Sequence, residues 1–139
     1  MSYKPSEQEP AIQVPTVYSF GSVDMSSLNA DWITFHVNIG NAQDADITNS
    51  WKVLLRLTPY KDVISTMDDI EVKYGSDPQP TTSYCDIQAD IDDGGHVLIT
   101  VKLPVPSYIV EPLLVNIQQK PDKQIIFDSA KLELGTFAT

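Results

Sequence analysis

The chain has 139 residues, of which 42% are hydrophobic, and carries a formal net charge of −10. That length and composition fit one globular domain with a core large enough to need no staples, and they exclude wholesale disorder. The charge argues against nucleic acid and anionic membranes as partners, since phosphate repels it, and favours solubility, cations, neutral sugars or basic partners.

Residues 1–10 are polar and carry little to bury, so they read as a flexible N-terminal arm, with 11–139 forming a single domain. The arm lacks the apolar centre of a signal peptide, and no stretch of the chain is long and apolar enough to insert into a membrane. A first extended segment, residues 12–20, is interrupted by Pro15, which confines it to a sheet edge or to two short strands. Residues 21–30 form a loop rich in Ser and Asn.

Two alternating runs follow. Ile33, Phe35, Val37 and Ile39 share one side of the first, and Trp51, Val53, Leu55 and Leu57 share one side of the second. A period of two means half-buried strands, and their apolar faces need a common core. Gly40-Asn41 supplies a turn, but residues 41–49 are too long for a tight hairpin and predict a crossover or a wide loop. Beyond Pro59, residues 60–67 leave room for a short helical turn. Ile70, Val72 and Tyr74 then alternate with Glu71 and Lys73 as another strand.

Cys85, Ile87, Ala89 and Ile91 alternate, as do Val97, Ile99, Val101 and Leu103, around Asp92-Asp93-Gly94-Gly95. That turn sequence predicts a hairpin. Pro104 and Pro106 stop its second strand; Leu113, Val115 and Ile117 form the next, and residues 125–127 and 130–134 close the chain. The fold class is therefore all-β: about eight short strands in a two-sheet antiparallel β-sandwich, immunoglobulin-like or jelly-roll, with a closed barrel as the other solution.

No catalytic constellation stands out. The two histidines, His36 and His96, fall on polar strand faces, and no nucleophile turn or phosphate-binding glycine loop exists. The single cysteine, Cys85, faces inward and reads as a buried thiol rather than a nucleophile. We therefore expect a non-enzymatic protein that needs no cofactor. Calcium is the one ion the sequence suits. Asp86, Asp90, Asp92 and Asp93 crowd one strand and its turn, and hard oxygen donors at that density favour it, with Asp44 and Asp46 as a second group.

Aromatic residues supply the binding candidates. Trp32 lies opposite Ile33 and Phe35 and shares its face with Thr34, His36 and Asn38. A flat ring among hydrogen-bonding groups can stack on a sugar and hold its hydroxyls. Tyr60, Tyr84 and Tyr108 lie beside prolines or at strand ends, where loops would display them.

Two stretches carry a resemblance. Residues 35–42, FHVNIGNA, followed by 47–53, ITNSWKV, resemble immunoglobulin-like sandwich modules of bacterial surface proteins and glycoside hydrolases, carbohydrate-binding modules among them. The chain departs from cellulose-binding modules in lacking a row of tryptophans. Residues 127–139, FDSAKLELGTFAT, resemble the last strand of jelly-roll-like modules in phage tail-fibre proteins. These resemblances imply an extracellular, cell-surface or virion context and a glycan partner. A structural or assembly module, with a protein partner or self-association into a homo-oligomer, is the alternative.

Overall fold

A computed structural model describes residues 2–3, 17–28, 30–40, 51–92, 94–116 and 127–135. These residues form two antiparallel sheets packed on one core. The strands are β1 (Ser2–Tyr3), β2 (Val17–Ser19), β3 (Val23–Asp24), β4 (Trp32–Ile39), β5 (Trp51–Pro59), β6 (Glu71–Tyr74), β7 (Gln79–Pro80), β8 (Cys85–Asp90), β9 (His96–Lys102), β10 (Tyr108–Asn116) and β11 (Phe127–Gly135). Three of them are only two residues long, and the remaining eight match the number expected. Short 3₁₀ segments occupy Met25–Ser27 and Lys61–Asp69. No helix among the described residues is long and apolar enough to cross a membrane.

The first sheet runs β1-β11-β4-β9-β6, and the second β2-β10-β5-β8-β7, with β3 also on β10. Strands β4 to β11 pair as a nested set: β4 with β11, β5 with β10, β6 with β9, β7 with β8. This is a long ribbon rolled up on itself, the wrapping of a jelly roll. It places β4 and β5 in opposite sheets, so the connection between them crosses over; its residues 41–50 lie outside those described.

The alternation read from sequence is the alternation of the core. Ile33, Phe35, Val37 and Ile39 of β4 meet Trp51, Val53, Leu55 and Leu57 of β5, all buried. Phe20 sets its ring edge against Phe35, with centroids 5.3 Å apart. Cys85 is buried in the same cluster.

Several local expectations are corrected. Asp92-to-Gly95 does not close a hairpin, because β8 pairs with β5 in the second sheet and β9 with β4 in the first. The turn forms locally: the Asp92 carboxylate accepts the N–H groups of Gly94 and His96, and Gly95 adopts φ +83°. It carries the chain from one sheet to the other. Both strands present apolar residues to the same core, so alternation alone cannot separate a hairpin from such an arch.

β10 begins at Tyr108, five residues before the predicted strand, and runs through Pro112. The Phe20 N–H donates to the Pro112 carbonyl, so the proline ring nitrogen also faces β2 and β3. Pro112 lies in the gap between those two short strands, where no ladder donor is required. At the N-terminus, Ser2 and Tyr3 pair with Lys131 and Ala130, so part of the expected arm is a strand; residues 4–10 lie outside those described.

Candidate functional site

The outer face of the first sheet is built on β4. Four of its residues alternate outward, with His36 exposed and Trp32, Thr34 and Asn38 half-buried. Register gives their neighbours. Trp32 lies between Gly135 and Lys102, Thr34 between Glu133 and Thr100, His36 between Lys131 and Leu98, and Asn38 between Ser129 and His96. The glycine matters beside the indole. A Cβ at Gly135 would reach 3.9 Å from that of Trp32, so its absence keeps one flank of the ring low.

Polar groups on this face are held by one another. Thr100 donates its hydroxyl to Thr34 at 3.3 Å, and Asn38 donates its amide to Ser129 at 3.2 Å. Lys102 lies 3.7 Å from Glu71, and Lys131 lies 3.1 Å from Glu133. The hydrogen bond from Lys131 holds the Glu133 carboxyl below its usual range. The opposed charges leave the face neutral in sign, and the mutual bonds fix the orientation of its donors and acceptors.

A further aromatic joins this face. Tyr74 is 48% exposed and pairs with Thr100, with the Lys73 ammonium 5.6 Å from its ring centroid. Strict alternation with Ile70 and Val72 places Tyr74 inward. A register shift between Val72 and Tyr74 turns it out instead. Nothing in the sequence marks that shift except the glycine at 75.

The other predicted tyrosines lie elsewhere. Tyr60 stands at the end of β5, where its hydroxyl donates to Asp24; hydrogen bonds from Ser26 and then Tyr60 lower the Asp24 carboxyl. Tyr84 lies under the Arg56 guanidinium, 4.0 Å from ring centroid to Cζ, on the second sheet. Tyr108 is 0% exposed, which overturns its reading as a displayed ligand contact. It opens β10 with inward parity, and its hydroxyl lies 2.7 Å from the Thr66 Oγ1.

The carboxylates proposed for calcium have other partners. Asp86 receives two hydrogen bonds from Arg56, at 2.9 and 3.0 Å, and Asp90 pairs with Lys52. β8 ends at Asp90, so Asp92 lies past the strand and spends its carboxylate on the turn. Among the described residues no group of three or more acidic, His or Cys side chains is gathered to hold a metal. Asp93, Asp44 and Asp46 lie outside the described residues. The Cys85 thiol is pushed up by burial, which keeps it protonated and unreactive.

Comparison of the chain with models of known protein families, with curated proteins and with solved structures finds no match.

Proposed function

We propose that this protein is a non-catalytic binding module that holds a glycan on the outer face of its first sheet. The observation that supports this reading is the juxtaposition on β4 and β9: Trp32 flanked by Gly135, a row of hydroxyl, imidazole and amide groups, and Tyr74 two strands away. Two strand spacings across the sheet and a two-residue offset along it put the aromatic residues about 12 Å apart, a reach suited to two or three sugar rings. His36 is exposed and Trp32 half-buried on this face, which suits a chain lying across it rather than an engulfed small molecule. Screening on a glycan array, followed by calorimetric titration of the parent and each variant with each hit, tests it. Trp32→Ala should abolish the response and Tyr74→Ala should weaken it. Saturable binding unaffected by either substitution overturns the reading.

A second reading is an assembly module, favoured by the opposite face. On the outside of the second sheet, Val17 is 59% exposed, and Leu54, Ile109 and Val115 are only half-buried. Register sets Val115 beside Val17 and Leu113 beside Leu54, with Lys52 and Arg56 at the margins. Apolar residues at outward positions suit a protein partner or a second copy. Light scattering against concentration tests self-association, and Val17→Lys with Val115→Lys should abolish it.

A further inference from the structure

The edge of β9 that faces away from β4 is capped at both ends and open in the middle. The Leu103 N–H donates to the Asp31 carbonyl, and the Ile39 N–H to the Gly95 carbonyl. By alternation, odd-numbered residues of β9 direct their peptide groups to β4, and even-numbered ones to the other edge. There Lys102 and Thr100 lie against Glu71 and Tyr74 of β6. His96 is served by Asp92, whose carboxylate accepts its N–H at 2.8 Å and whose own N–H donates to its carbonyl at 3.3 Å. Between these, no described hydrogen bond reaches the N–H or carbonyl of Leu98 on this edge.

The opening has a local cause. Two further steps in the β6 register would bring Ser76 opposite Leu98. Instead Gly75, at φ +134°, turns the chain away, and Ser76 joins the other sheet. Its N–H donates to the Gln88 carbonyl at 2.8 Å, and the Gln88 N–H donates to its hydroxyl at 2.9 Å. Asp90, two residues beyond Gln88, presents its peptide groups on that same edge of β8. Leu98, Ser76, Gln88, Asp90 and Lys52 line a cleft of about 450 Å³ at this position.

We propose that this cleft binds an extended peptide segment carrying a basic side chain. One residue of an extended chain offers an N–H and a carbonyl on one side, the complement of the pair at Leu98; strand addition at a sheet edge works this way. The charge follows from the rim. Asp90 pairs with Lys52 yet its side chain stays 78% exposed, and Asp77 follows Ser76, so among the described residues this rim carries two carboxylates to one ammonium; the whole chain carries −10. The proposal does not rest on the glycan reading.

An amide-resolved NMR titration of the full chain with acetyl-Lys-Val-Lys-Val-Lys-amide tests it. Saturable shifts are expected at the Leu98 and Asp90 amides. Leu98→Pro, which deletes the N–H at an edge position that tolerates proline, should abolish them. Asp90→Lys, which reverses the charge of an exposed side chain and gives up its pairing with Lys52, should weaken binding about tenfold and favour the Glu-for-Lys version of the peptide. No shift at millimolar peptide, shifts confined to other faces, or equal affinity in Asp90→Lys overturns the proposal.

Discussion

At the scale of single residues, the two tryptophans define the division between core and surface. Trp51 is 1% exposed, and its indole N–H is buried with no hydrogen-bond partner among the described residues, so its contribution comes from packing. Trp51→Ala should cost about 3–5 kcal/mol in a denaturant titration, as large aromatic truncations do. Trp32 is half-buried on an outer face, and Trp32→Ala should cost no more than about 1–2 kcal/mol. Equal losses would make Trp32 structural and remove the best residue of the glycan reading. Two buried protons contribute to the alkaline behaviour. Burial raises both the Cys85 thiol and the Tyr108 phenol above their ordinary values of 9.0 and 10.0. The unfolded chain therefore releases these protons first. Their stabilising effect is complete below the unfolded values and is lost as pH rises through them toward the folded ones. Tm should hold through neutral pH and fall above about pH 9. Cys85→Val should remove the thiol part of that fall, and an unchanged alkaline limb in that variant would show the thiol is not involved.

At the scale of elements, the segment after β6 carries the most consequence. Gly75 holds φ +134°, and a Cβ there would stand 2.7 Å from the Ile87 side chain. Gly75→Ala should cost about 1–3 kcal/mol by combined strain and clash. It should also disturb the amides of Ser76 and Gln88, read by NMR; a variant with native stability would show that the crossing does not need the left-handed backbone. The β8–β9 turn makes a similar point with a smaller effect. Asp92→Ala removes the acceptor for two N–H groups and should cost about 1–2 kcal/mol, whereas Asp92→Asn should retain most of it. Asp92→Ala touches no core residue and so isolates the contribution of its connection, whereas Gly75→Ala also presses on the buried Ile87.

At the scale of the whole molecule, the rolled ribbon nests β4 to β11 in four pairs, and the two carboxylates of β8, Asp86 and Asp90, pair with Arg56 and Lys52. Arg56 alone takes both oxygens of Asp86 and covers Tyr84. Melting curves in millimolar calcium and in chelator should therefore superimpose. A calcium-dependent rise in Tm would restore the metal reading, since an ion bound only to the native state must stabilise it.

The sequence by itself determined the longer alternating strands and most of their inward faces, and it favoured a two-sheet sandwich over a closed barrel; the two-residue strands β1, β3 and β7 carry no such pattern. Ile33 to Ile39 and Trp51 to Leu57 alternate for the same reason that they are buried: a pleated strand in a sandwich has one dry side. It also determined that Trp32, Thr34, His36 and Asn38 share a face, because parity is a local property. Only the tertiary structure decided which strands are neighbours. The turn at Asp92 reads as a hairpin and is an arch, since both sheets bury their residues in one core. Only it decided that Tyr74 turns outward at a register shift while Tyr108 turns inward beneath Thr66. Neighbour choice and register depend on contacts between residues distant in the chain, and alternation within one strand carries no information about them.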